Sequence, residues 1–179
     1  MLYEDRTVAL LSGRLALACG YSPDMAGKIM VAAALHDVGK NRIDRYIIEK
    51  PGKLTPQEMM QMKFHTIYGA VILSSIPGEL GLMAVEIALF HHERWDGTGY
   101  WGYKASSLPK YIGIVSICDT YCALVFEREY KQAWTVEEAL CYIVNQSGTQ
   151  FCPDLVNRFV SLFSSDDNEG CEKSKMPVD

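Results

Sequence analysis

The chain has four histidines, His36, His65, His91 and His92, and their surroundings suggest chemistry more than packing. His36-Asp37 and His91-His92 are dipeptides, each closing a segment with helical periodicity, and His65 lies inside another such segment. Asp119 falls in the apolar run Ile114-Val-Ser-Ile-Cys-Asp-Thr-Tyr121, where an unpaired carboxylate is costly to bury. Glu4 stands near the start of the first helix. Four imidazoles and three carboxylates form a donor set for Mn, Fe, Zn or Ni, and a carboxylate beside a histidine can bridge two ions. Each residue also has an ordinary alternative. His65 alone reads as a packed helix residue, Asp119 as a helix-surface carboxylate, and Glu4 as a solvated acid favoured by the helix dipole. What favours ligation is that no histidine is left outside the set.

Five segments must carry these groups, and nearly all of the chain reads as helix. Apolar positions within 6–19 recur at three- and four-residue spacing, with Gly20 as a stop. Ser22-Pro23-Asp24 supplies an N-cap and proline at N1 for a helix running to about His36. Residues 38–54 read as a loop with a short helical turn, ended by Pro51-Gly52. Thr55-Pro-Gln-Glu58 is a capping box, which predicts a helix from 56 to about 74. Pro77-Gly78 opens the next helix, leading into Phe90-His91-His92. Residues 93–108 are the least regular, with three glycines between Gly97 and Gly102. Pro109 starts a long apolar helix to about 127, Thr135-Val-Glu-Glu138 caps one near 136–147, and Pro153 starts a last one to about Phe163. No period-2 segment and no internal repeat is present. The expectation is an all-α domain over 1–163, followed by a polar, disordered tail over 164–179.

Composition agrees with that outline. A chain of 179 residues, 49% of them hydrophobic, folds as one domain and buries roughly 70% of its unfolded surface. The 17 basic and 22 acidic residues give a net charge of −5. Much of that charge lies in 164–179, and no basic face is evident, which argues against duplex nucleic acid as a partner. No apolar run approaches the ~18–20 residues that span a bilayer, and no basic stretch opens the chain, so we expect neither a membrane anchor nor a secretory signal. Six cysteines without a CxxC pair fit reduced core thiols in a cytoplasmic protein.

The motifs together resemble a known family. His36-Asp37-Val-Gly39-Lys40, Lys50-Pro-Gly-Lys-Leu-Thr55, Met62-Lys-Phe-His65 and His91-His92-Glu93-Arg-Trp-Asp96-Gly97-Thr-Gly99-Tyr100 look like the HD-GYP family. The likeness continues through Leu108-Pro109, Asp119, Ala123-Leu124, Arg128, Tyr130 and Lys131, and covers roughly residues 4–163. Members of that family are cyclic di-GMP phosphodiesterases, a branch of the HD metal-dependent phosphohydrolases. The resemblance implies a single HD-domain bundle of five to seven helices holding two, sometimes three, iron or manganese ions. It implies His36, Asp37, His65, His91, His92 and Asp119 as ligands, with Asp37 bridging and catalytic, and Glu4 standing where the family usually has a histidine. It also implies Lys40 beside the scissile phosphate, with Arg128 and Lys131 holding the substrate's phosphates.

Such a pair of ions would lower the pKa of a bridging water and neutralise charge as phosphate is attacked. Lys40 would add positive charge at the reacting oxygens. The glycine-rich segment 93–103 would form a rim for guanine or ribose. The chain departs from the family pattern at Trp101, where GYP becomes Gly99-Tyr100-Trp101, at Cys122, which replaces a second aspartate, and at Thr66, which replaces a proline. These departures keep open another cyclic dinucleotide or a nucleotide as substrate, or a catalytically weak module that binds a nucleotide or a partner. No receiver, PAS or cyclase domain is evident, so regulation is expected either in trans, by a signalling protein, or not at all.

Overall fold

The computed structural model describes residues 2–127 and 132–163. Its elements are α1 (Leu2–Ala18), α2 (Pro23–Ala33), a 3-10 turn (Val38–Arg42), α3 (Arg45–Ile48), α4 (Pro56–Leu73), α5 (Gly78–Phe90), a second 3-10 turn (Ala105–Ser107), α6 (Lys110–Val125), α7 (Val136–Asn145) and α8 (Pro153–Ser161). Among the described residues there is no strand, only a single bridge between Ser147 and Phe151. The all-α expectation therefore holds. The described residues form eight α-helices, one more than the upper end of the expected five to seven, in part because the turn expected within 38–54 closes into the one-turn helix α3.

The starts of the helices are fixed by local chemistry. The Ser22 hydroxyl accepts the Met25 amide at 3.2 Å ahead of Pro23. Thr55 and Glu58 bond reciprocally, the Glu58 amide to the threonine hydroxyl at 3.3 Å and the Thr55 amide to the carboxylate at 2.7 Å. Thr135 and Glu138 repeat the device at 3.2 and 2.8 Å. Reciprocal caps of this kind satisfy orphan amides that no helical carbonyl can reach.

The helix ends matter more for the site. α2 stops at Ala33, three residues short of the expected His36, because the chain tightens into i→i−3 bonding. The amides of Leu35, His36, Val38 and Lys40 bond to the carbonyls of Ala32, Ala33, Leu35 and Asp37. That tighter winding rotates His36 and Asp37 away from the α2 register and toward the interior.

α6 is the central helix, with nine buried residues including Ile114, Val115, Ile117 and Cys118. Around it lie Val8, Leu11 and Leu15 of α1, Ile87 of α5, Ile143 of α7 and Phe159 of α8. Two small-residue contacts then draw the histidine-bearing segments together. A Cβ at Gly39 would overlap the His65 carbonyl and the Gly69 amide, so the first 3-10 turn lies directly on α4. A Cβ at Gly69 would stand 3.2 Å from the Ala88 Cβ, so α4 and α5 also approach closely. Among the described residues, Cys19, Cys118, Cys122 and Cys152 are free thiols. Arg128, Lys131 and the segment 164–179 lie outside the described residues.

Candidate metal centre

His36, His65 and His91 are buried at the ends or middle of three helical segments that meet beside α6. In each, Nδ1 rests against a carbonyl of its own turn: 2.7 Å from Ala33, 2.7 Å from Met62 and 3.0 Å from Ile87. A carbonyl can only accept, so Nδ1 is the protonated nitrogen and the neutral ring turns a bare Nε2 lone pair the other way. The three Nε2 atoms all face Asp37. Its Oδ1 is 3.3 Å from His65 and 3.7 Å from His91, and its Oδ2 is 3.4 Å from His36. Asp119 comes from α6, with Oδ1 3.5 Å from His36 Nε2. The Lys40 ammonium closes onto Asp37 Oδ2.

Three observations test whether a divalent cation fits here. The His36 Nε2 and Asp37 Oδ1 atoms are buried with no hydrogen-bond partner, which is costly unless something else satisfies them. The Nε2 atoms of His65 and His91 face each other at 3.5 Å, an arrangement of two lone pairs that needs an electrophile between them. Finally, three sets of donors have ligand atoms within 4.8 Å of one another: Asp37, His65, His91 and His92; His36, His91 and Asp119; and Asp5, His36 and Asp37. The sets overlap through Asp37, His36 and His91, so they describe one centre. The residues fit.

The electrostatics suit the same role. Burial drives His91 well below the usual imidazole range, with His92 and His36 adding to the effect. Burial also takes His92 down to about 4, against the pull of Asp119. Asp37 and Asp119 are opposed by burial, yet neighbouring histidines hold both well below the ordinary carboxylate range. His36 is opposed by burial too, but Asp37 and Asp119 outweigh it and raise its affinity for a proton. Two buried carboxylates thus recruit a positive charge, which a metal ion can supply in place of the proton. At neutral pH, neutral His91 and His92 and anionic Asp37 and Asp119 are the forms that ligate.

From α1, Asp5 has a carboxylate oxygen in one donor set with His36 and Asp37, and the charge of Glu4, the acid expected there, is felt by the buried Cys122 thiol. Successive helical residues point about 100° apart, and the buried face of α1 includes Val8, Leu11, Ser12 and Leu15. Either acid continues that face, so periodicity alone could not choose between them. Cys122 is itself buried, and burial pushes its thiol up to about 12, so it stays neutral beside Asp119.

Residues 93–103 form the near wall. Glu93 is almost wholly buried and accepts the backbone amides of Trp101 at 2.7 Å and Tyr103 at 2.9 Å. No sequence signal beyond its place after His92 marked it. Gly99 packs on the backbone of 92–94, where a Cβ would come within 2.6 Å of the Glu93 Cα. The Tyr100 ring consequently lies 4.4 Å from the His92 ring, and Lys63 Nζ sits 5.1 Å over it. Behind them opens a polar cleft of about 350 Å³, with Lys63, His92, Arg94, Tyr100 and Gln150 in its lining.

A helical bundle that gathers an His-Asp pair, a central histidine, an His-His pair and a distal aspartate around one centre defines an HD domain. The family model described as HD domain matches residues 1–155, and the chain belongs to that family. Within the family it is of the HD-GYP type. It is 43% identical over 156 residues to a cyclic di-GMP phosphodiesterase of Thermotoga maritima, covering 87% of this chain and 42% of that protein. It is 41% identical over 150 residues to a 3'3'-cGAMP-specific phosphodiesterase of Vibrio cholerae, covering 83% of this chain and 29% of that protein. The chain therefore spans less than half the length of these relatives. Among solved structures, an HDG"Y"P protein from Bdellovibrio bacteriovorus superposes with a TM-score of 0.71 at 18% identity, over 90% of this chain and 52% of that one, which supports the fold. Membership of the family carries a divalent-metal site. No helix among the described residues is long and apolar enough to cross a membrane.

Proposed function

We propose that the chain is a metal-dependent phosphodiesterase that hydrolyses cyclic di-GMP to the linear dinucleotide or to GMP. The observation that carries this reading is the two-sided Asp37, whose oxygens face His65 and His91 on one side and His36 on the other. That is the disposition a bridging carboxylate needs. Its ligands would be His36, Asp37, His65, His91, His92 and Asp119, with Asp5 taking the part expected of Glu4. Paired divalent ions, when bound, activate water and offset phosphate charge. The donors are imidazole and carboxylate with no thiolate among them, a set that suits Fe or Mn over softer metals.

The protein's own groups do the rest. Lys40, held by Asp37, brings a cation to the mouth of the cluster, where the negative charge of a phosphodiester would gather. Arg128 and Lys131 are assigned to the second phosphate of the substrate. Tyr100 and Lys63 would line the approach, the ring shielding His92 from water. A signalling protein acting in trans and a cytoplasmic setting belong to the same reading. A second substrate, 3'3'-cGAMP, is favoured by the likeness to the Vibrio cholerae phosphodiesterase and by the altered Gly99-Tyr100-Trp101 loop. Turnover of a panel of cyclic di-GMP, 3'3'-cGAMP, linear dinucleotides and mononucleotides by Fe- or Mn-loaded protein tests the proposal. Hydrolysis of cyclic di-GMP at a higher kcat/KM than any other member is the expected result, and hydrolysis of mononucleotides alone overturns it.

A further inference from the structure

Trp101 is tied to the centre from two sides. Its backbone amide donates to Glu93, the residue after His92, and its indole Nε1 donates to the Thr66 hydroxyl at 3.0 Å, the residue after His65. Thr66 is fully buried and spends its own proton on the Lys63 carbonyl at 2.9 Å, so its oxygen is left to accept. An indole has a single donor, and here that donor is committed. The Phe64 ring, edge-on at 6.2 Å, flanks the indole. Residues 66 and 101 are also two of the positions where the chain departs from the motif pattern, and they meet each other.

Between those two anchors sits Tyr100. Its carbonyl accepts from Lys63 Nζ at 3.3 Å, and its ring is tilted 35° to His92 and stands 6.3 Å from His65. Neither Tyr100 nor Lys63 touches the loop's other anchor, Glu93, through a side-chain hydrogen bond among those described. The peptide that follows Tyr100 is held at its carbonyl by Lys63 and at its amide by Glu93, and the indole of Trp101 ties the same segment to α4 through Thr66.

We propose that the Thr66–Trp101 hydrogen bond is a positioning strap that holds Tyr100 as the wall between the imidazole cluster and the polar cleft, and thereby sets how tightly a cyclic dinucleotide is held. Its consequence for the substrate rests on the phosphodiesterase reading above; its consequence for the loop does not. Trp101 is a positioning residue on this account, acting through Tyr100.

Trp101→Phe keeps a ring and removes the donor, Thr66→Val keeps the shape and removes the acceptor, and Thr66→Ser keeps the hydroxyl. In metal-loaded full-length protein, the first two variants should each raise KM for cyclic di-GMP by roughly five- to tenfold, the worth of one buried hydrogen bond. kcat and metal content should stay within about twofold, since uniform binding is lost and the ligands are untouched. The double variant should be no worse than either single one, and Thr66→Ser should restore the wild-type KM. Hydrogen exchange at the Trp101 and Tyr103 amides should quicken in both single variants whether or not a substrate is known. Unchanged exchange, or KM effects that multiply in the double variant, would overturn the strap. Faster exchange with an unchanged KM would overturn its role in substrate binding. If wild-type protein neither binds nor hydrolyses cyclic di-GMP, the phosphodiesterase reading fails, while the exchange data still decide the strap.

Discussion

The metal cluster and the 93–103 loop lie side by side but are held by different means. The cluster is fixed by backbones in contact: the first 3-10 turn on α4 at Gly39, and α4 on α5 at Gly69 and Ala88. The loop rests on one backbone contact at Gly99, and its far side, residues 100–103, is fixed by a few side-chain hydrogen bonds, Glu93 accepting from two amides and Trp101 donating to Thr66. A backbone contact leaves no room to adjust, whereas a hydrogen-bonded loop can be loosened one bond at a time. The first suits ligands that must converge to within a few tenths of an ångström. The second suits a wall that meets a large, flexible substrate.

The sharpest way to break this contrast is Gly39→Ala. A methyl there meets the His65 carbonyl and the Gly69 amide, both backbone, so the 3-10 turn must lift from α4. We expect a cost of about 3 kcal/mol or more, a fall in Tm on the order of 10 °C, and loss of bound metal together with stability. Thermal unfolding with elemental analysis of the same samples reads both. Preserved Tm and metal would show that the turn is more compliant than the contact implies.

Next in size is the metal itself. Asp37→Ala should remove more metal per chain than Asp119→Ala, because among the described residues Asp37 has three histidines at ion-pair distance and Asp119 has one. Equal losses would argue against a bridging role. Chelation should lower the Tm of the wild-type protein and leave that of Asp37→Ala almost unchanged, by mass action on the folded state.

On the loop side, Glu93→Gln retains the shape but weakens two charge-assisted bonds and buries an amide with fewer partners. The cost should be about 1–3 kcal/mol, read as faster exchange at Trp101 and Tyr103 with metal content unchanged. Loss of metal in this variant would mean that the two regions are not separable.

The smallest expected effect separates two neighbours on α1. Asp5→Asn should lower the metal stoichiometry more than Glu4→Gln, since Asp5 is the acid whose oxygen groups with His36 and Asp37 among the candidate donor sets. The reverse order would restore the residue expected from the sequence.

How much of this was legible in the sequence follows the same division. The capping boxes at Thr55 and Thr135 and the prolines after Ser22 and Thr55 announce helix starts, because they are local chemistry between residues three apart. The six residues of the cluster, from His36 to Asp119, could be named because ligand types are rare and no histidine remained over. What could not be read depends on contacts between distant segments. Which acid of α1 groups with His36 and Asp37 turns on a rotation of about 100° around the helix axis. The early end of α2 turns on the 3-10 turn docking at Gly39, and the buried role of Glu93 on amides eight and ten residues away. The pairing of Thr66 with Trp101 spans 35 residues and has no local signal.

The central claim is that one buried His/Asp cluster, bridged by Asp37, holds the ions that hydrolyse a cyclic dinucleotide. Its most direct test is to measure metal content and cyclic di-GMP turnover together, on anaerobically purified wild-type protein and on Asp37→Ala. The account predicts at least two Fe or Mn ions per wild-type chain with multiple turnovers, and less than one ion with no turnover in the variant. A wild-type protein that turns over cyclic di-GMP without stoichiometric metal, or a variant that keeps both its metal and its rate, would contradict it.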